Sequence, residues 1–224
     1  MKLTRNLATG FAFASLLATG VAVAPASPAS ASIQIVEQAA ARKTVTLTFD
    51  DGPSKYTPQI LDILKRNNVK ATFCMLGNNV GSYAKTARRV VREGHRLCNH
   101  SRSHPNFTKL SNSAARSQVV WTQNKIYSVT KVKPKVFRFP YGASNSRTRT
   151  VVRGQNLRIL GWTVDTRDWS RPGSATITSR AVKGARPGAV ILMHDGGGNR
   201  SQTVASLNAT IRQLKAKGYT FVLA

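Results

Sequence analysis

The chain has 224 residues, 41% of them hydrophobic, which is enough for one sizeable core and too apolar for a disordered basic tail. Its 34 Lys plus Arg stand against 8 Asp plus Glu, a formal charge of +26 that predicts salt-sensitive attraction to polyanions. The basic residues are dispersed along predicted helices with no nucleic-acid motif or aromatic platform, so nothing beyond charge argues for a nucleic-acid binder, and a solvated basic surface is the simpler reading of most of them.

Residues 1–31 read as a secretory signal, with Lys2 and Arg5 before the apolar run "LATGFAFASLLATGVAVA" and the small-residue site "ASA" ending at Ala31. A membrane anchor is the competing reading, but "APASPASAS" interrupts the run and no positive stop-transfer flank follows. No later segment is apolar enough to span a bilayer, and residues 32–42 form a lead-in. "VTLTF" (45–49) is then strand-like, and the turn "DDGPSKY" leads to a helix in "TPQILDILKRNN", where Thr57 can cap and Pro58 suits the first helical position. Strand "KATFCML" (70–76), helix "YAKTARRVVREG", strand "HRLCN" and the long helix "SNSAARSQVVWTQNKIYSVT" follow. After them come strand "KVFRF" (135–139), helix "SRTRTVVRGQN", strand "RILGWTV", helix "SATITSRAVKGA", strand "AVILMH" (189–194), helix "TVASLNATIRQLKAKG" and a closing "YTFVLA". This repeated alternation argues for an α/β fold with a largely parallel sheet in one domain, and the absence of a dinucleotide glycine fingerprint favours a closed or nearly closed barrel over an open sheet. Cys74 and Cys98 both fall in short apolar runs. A disulfide and two buried thiols are equally compatible with that placement.

The scarce residues gather where such barrels do chemistry. Asp50, Asp51, His100, His104, Asp165, Asp168, His194 and Asp195 all lie at or just past the C-terminal end of a predicted strand. Two histidines four apart in "NHSRSH", with one carboxylate, make a two-nitrogen, one-oxygen set that leaves a cation open to water. Taken alone, an isolated pair of histidines or a "DDGP" turn is more often structural. Together they give the doublet a use, one Asp binding a cation while its neighbour takes a proton. In "RFPYG", Arg138 can grip a carboxylate, Pro140 turns the chain and the Tyr141 amide can donate to an oxyanion. Trp169 in "VDTRDW" is either a groove wall or core, whereas Trp121 and Trp162 read as core. His194 in "ILMHDGGG" is a candidate general acid, the glycines at 196–198 read as a flexible loop, and His95 reads as structural.

The five pieces "TFDDGPS", "HSRSH", "RFPYG", "DTRDW" and "ILMHDG" resemble, in this order, the motifs of the polysaccharide deacetylase family, carbohydrate esterase family 4 or the NodB homology domain. The resemblance covers residues 43–224 and implies a distorted (β/α) barrel of about seven parallel strands. It implies metal-dependent removal of acetyl groups from sugars, with an acetylated polysaccharide as substrate. Carried over, Asp50 is the general base, and Asp51, His100 and His104 are the ligands of one divalent ion, zinc before cobalt. Arg138 orients Asp50, Tyr141 supplies the oxyanion donor, and Asp168 tunes His194, the proton donor. Trp169, Leu192 and Pro140 contact substrate, and Asp165 has a supporting role. The neighbouring strands of such a barrel favour a Cys74–Cys98 bridge; Cys98 itself departs from the glycine that many members carry. The expected function is a secreted N-deacetylase of N-acetylglucosamine glycans, chitin oligomers or peptidoglycan. An acetylxylan O-deacetylase and a non-catalytic basic protein bound to anionic wall polymer are the alternatives.

Overall fold

A computed structural model describes residues 43–224. The expected signal segment 1–31 and lead-in 32–42 lie outside the described residues. In chain order the elements are β1 (Thr44–Asp50), α1 (Thr57–Arg66), β2 (Thr72–Met75), α2 (Gly77–Ser82), α3 (Ala84–Arg92), β3 (Arg96–Asn99), α4 (Asn112–Thr130), β4 (Val136–Phe137) and α5 (Ser146–Arg153). They continue as β5 (Arg158–Ile159), β6 (Val164–Asp165), α6 (Ser174–Gly184), β7 (Ala189–His194), α7 (Ser201–Ala216) and β8 (Thr220–Phe221). No helix among the described residues is long and apolar enough to cross a membrane.

All strand pairs are parallel, in the order β5-β4-β3-β2-β1-β7-β6, and β8 pairs the start of β1. The architecture is the expected distorted (β/α) barrel, a curled half-barrel wrapped in helices. β1 is its centre because its sequence is apolar or β-branched at almost every position, as a strand buried on both faces requires. The alternation of its side chains divides them: Val45, Leu47 and Phe49 join the helix-facing core, while Thr48 and Asp50 face the inside of the curl, where Arg138 meets them. Helix α1 buries Ile60, Leu61 and Leu64 against that core, and Phe49 stacks on Phe73 at 5.2 Å. Each such side chain taken from water stabilises the fold by about 1.5–3 kcal/mol.

Two points differ from the sequence reading. "RILGWTV" is not one strand: Leu160 still bonds to Phe137 of β4 and Thr163 to Val190 of β7, so Gly161 and Trp162 step across the gap between the two edges of the sheet. A run of apolar residues does not reveal that its halves pair with opposite edges. The second is helix α2, which follows β2 directly and whose sequence, "GNNVGS", has low helix propensity; its place is set by Gly77 packing under Trp121 and Thr122 of α4. Cys74 and Cys98 are direct register partners on β2 and β3, with Cα atoms 4.1 Å apart, and form a disulfide.

Candidate active site

The C-terminal ends of β1, β3, β4, β6 and β7 surround a cavity of about 600 Å³, lined by Asp50, Asp51, His100, His104, Tyr141, Asp165, Trp169, Leu192 and His194 among others. Parallel strands make this convergence automatic, since residues ending adjacent strands lie side by side. Asp50 is in register with His194 across the β1–β7 pair.

Beyond Asp50 the chain leaves the strand, with Asp51 at φ 71°. The Asp51 carboxylate faces the Nε2 atoms of His100 and His104 at 3.5 and 3.4 Å. One ligand atom from each of these three residues lies within 4.8 Å of the others. His100 Nδ1 donates to the Arg138 carbonyl at 2.8 Å, which fixes the tautomer and leaves the Nε2 lone pair turned toward Asp51. Burial, reinforced by His100, lowers the His104 pKa against the opposing pull of Asp51 and Asp50, so this ring too keeps a lone pair to give. Asp51 Oδ1 is buried without a hydrogen-bond partner. An orphaned carboxylate oxygen between two imidazole nitrogens fits a divalent cation of the zinc or cobalt type.

Beside this triad, Arg138 is fully buried, and its Nη1 donates to Thr48 Oγ1 and Asp50 Oδ1, both at 2.8 Å. Nη2 donates to the Gly161 carbonyl at 2.9 Å, so one guanidinium holds Asp50 and also stitches the gap between the sheet edges. Across the cavity, Asp168 accepts from the His194 amide at 2.8 Å, from its Nδ1 at 2.7 Å and from Thr203 Oγ1 at 2.7 Å. Burial disfavours the charged His194 ring, but the Asp168 hydrogen bond and charge outweigh it and the pKa is raised. Burial likewise opposes ionisation of Asp168, yet His194 and Thr203 bring its pKa below the ordinary value.

Tyr141, at φ 58° in the turn after Pro140, edges against the His104 ring at 4.4 Å. Trp169 is 48% exposed at the rim, which decides between the two readings left open by sequence: it walls the groove. Leu192 forms part of the floor, Pro140 is buried behind the turn, and Asp165 caps its own turn by accepting from the Arg167 amide. His95 is buried away from the cavity, accepting from the Ala71 amide, with burial pushing its pKa down to about 4.

Three placements depart from the sequence reading. Trp162 lines the cavity, with the Arg138 guanidinium over its ring at 5.8 Å, and Trp121 is half-buried under Arg102 at 4.4 Å. The glycine stretch after His194 is not a free loop, because buried Arg200 donates from Nε to the Gly196 carbonyl and from Nη2 to that of Gly197 at 2.9 Å. Leu76 and Phe139, which sequence reasoning missed, also line the cavity. Leu76 closes the strand run "KATFCML" and Phe139 lies inside "RFPYG", and those placements were the available signal.

The polysaccharide deacetylase profile matches residues 37–160. The chain is 40% identical over 196 residues to a peptidoglycan-N-acetylglucosamine deacetylase of Listeria monocytogenes, a match covering 87% of this chain and 41% of that protein, so it spans less than half of this relative. It is 36% identical over 190 residues to a chitooligosaccharide deacetylase of Rhizobium leguminosarum bv. trifolii, covering 80% and 88% of the two chains. The crystal structure of the Bc1960 peptidoglycan N-acetylglucosamine deacetylase superposes with a TM-score of 0.78 at 39% identity, covering 81% of this chain and 86% of that one. With more than half of the chain matched by the profile and these identities along most of its length, the protein belongs to the polysaccharide deacetylase family.

Proposed function

We propose that this protein is a secreted, metal-dependent hydrolase that removes N-acetyl groups from N-acetylglucosamine glycans, with peptidoglycan before chitin oligomers as the substrate. The observation that carries this reading is the meeting of Asp51, His100 and His104 around an unsatisfied carboxylate oxygen, between an arginine-held Asp50 and an Asp168-held His194. The substrate class follows the relatives named above, and secretion follows the N-terminal signal pattern.

In this mechanism Asp51, His100 and His104 hold the divalent ion. When bound, that ion supplies Lewis acidity, polarising the acetyl carbonyl and making water a better proton donor. Asp50, aimed by the Arg138 guanidinium, takes the proton from the attacking water. The oxygen of that water adds to the acetyl carbon, and the Tyr141 amide donates to the oxyanion so formed. His194, its Nδ1–H held by Asp168, gives a proton from Nε2 to the sugar nitrogen as the C–N bond breaks, releasing acetate and a free amine. An amine leaves poorly without that proton, so the raised pKa of His194 suits amide chemistry. Trp169 and Leu192 bound the space for the sugar and its acetyl group.

The charge distribution supports a second contact, with anionic wall polymer. Among the described acids, Asp62 and Glu93 are both engaged by Arg89, and no acidic residue occurs between Glu93 and Asp165, leaving the flank of α4, α5 and β5 purely cationic. Binding to polyanion that disappears with salt while acetate release from a neutral oligomer persists is the expected signature. Acetate release from a panel of peptidoglycan, chitooligosaccharide and acetylxylan tests the substrate assignment. Preference for acetylxylan overturns it, and turnover of none, with metal bound, supports a purely wall-binding protein.

A further inference from the structure

The strand end that delivers His194 also delivers an acid that the mechanism above does not use. Asp195 is 1% exposed. Its amide and that of Gly196 donate to the Asp50 carbonyl at 3.0 and 3.2 Å, its carbonyl accepts from the Ser54 hydroxyl, and its Oδ2 accepts from Thr57 Oγ1 at 2.6 Å. All of these partners, Gly196 aside, belong to one stretch, Asp50–Thr57, the turn that carries Asp51. The surfaces also fit reciprocally. A Cβ on Gly52 would overlap the Asp195 carboxylate, and Cβ atoms on Gly196 and Gly197 would overlap the carbonyl and the carboxylate of Asp51. The glycines of "DDGP" and "HDGGG" are thus the two halves of one close packing.

We propose that Asp195 is a positioning residue for the metal centre, clamping the turn between β1 and α1 so that the Asp51 carboxylate is presented to His100 and His104. The inference rests on the ligand set proposed above. Asp51 needs the clamp because its backbone is in the left-handed region, at φ 71°, where a residue with a Cβ is disfavoured by about 1–2 kcal/mol. Left to itself the turn relaxes and carries the carboxylate with it. Asp195 opposes this at both ends: the two amides fix the exit from β1, and the carboxylate fixes Thr57, the first residue of α1. The clamp comes from the strand bearing His194, so the same residue also sets the register between the proton donor and the ligand turn.

The test is a zinc competition titration against a chromophoric chelator, using the metal-stripped protein, with thermal unfolding of each stripped variant measured alongside. Asp195→Ala is expected to weaken zinc binding about tenfold, the lower end of what loss of a supporting partner costs a metal site. Thr57→Val is expected to weaken it in the same direction, and it decides the question where the alanine variant does not fold. Asp195→Asn still offers an oxygen to the Thr57 hydroxyl and is expected to stay within about threefold of the unaltered protein. Zinc affinity unchanged in folded Asp195→Ala and Thr57→Val, with only a lowered unfolding temperature, overturns the positioning role and leaves the ligand set standing. Failure of the unaltered protein to bind zinc overturns the ligand set, and this inference with it.

Discussion

The most discriminating perturbation of the proposed chemistry is Asp168→Asn, because the geometry dictates how the new amide must lie. The Oδ2 position receives two donors, the His194 amide and Thr203 Oγ1, at 2.8 and 2.7 Å. The asparagine oxygen therefore settles there, and its NH2 faces His194 Nδ1, which Asp168 Oδ1 now meets at 2.7 Å. A donor then meets a donor whenever the ring is charged, so imidazolium is disfavoured and the neutral ring takes its proton on Nε2. The variant loses a charge-assisted hydrogen bond worth about 1.5–3 kcal/mol, which is about 1–2 pH units in the His194 pKa. The sign follows from the role: the acid works only when protonated, so a raised pKa extends activity upward in pH, and the variant loses activity at a lower pH. At pH 7.5 we expect hydrolysis of an N-acetyl substrate to fall about 10²-fold, with the alkaline limb of kcat/KM displaced downward. An aryl acetate, whose leaving group needs no proton, is expected to lose less than about fivefold. Equal losses on amide and ester, or an alkaline limb that does not move, refute the assignment of His194 as proton donor and of Asp168 as the group that tunes it.

Three further expectations concern the metal, the core and the disulfide. Zinc at a hundredfold excess over its Kd raises the stability of the unaltered protein by about 2.7 kcal/mol and raises that of His104→Ala far less, readable as a shift in unfolding midpoint. His95 has a folded pKa of about 4, below its ordinary 6.5, so the stability from its neutral ring is complete above pH 6.5 and is lost as pH falls toward 4. Urea unfolding of His95→Asn, whose side chain can still accept from the Ala71 amide, should therefore lose less between pH 7 and 4 than the unaltered protein, by at most about 3 kcal/mol. The Cys74–Cys98 bridge closes a loop of sequence separation 24, and its replacement by two serines is expected to destabilise the fold by about 3 kcal/mol in chemical denaturation.

Much of this architecture was legible because burial writes itself into composition. The strands β1 and β7 are apolar runs, and the acidic residues and histidines are few enough that their placement at strand ends stood out against a basic background. Asp51, His100 and His104 could be grouped by ligand chemistry, although two separate strand ends, those of β1 and β3, supply them and only the fold brings them together. What stayed hidden depended on pairing and tertiary contact. The division of residues 158–165 between opposite sheet edges has no local signature, and with it went the place of Trp162, which is in the cavity because Gly161 carries the chain past Arg138. Cys74 and Cys98 were undecided until register made them partners. The Gly196–Gly198 stretch read as flexible because glycine usually is, whereas here its first two members lie against Asp51 and their carbonyls are held by Arg200.

The most direct measurement is acetate release by the metal-stripped protein as zinc is titrated back. The account predicts no activity at the start, a linear rise and a plateau at one zinc per chain, with no such rise in His100→Ala or His104→Ala. Acetate release by the fully stripped protein, or recovery of full activity by either histidine variant, contradicts it.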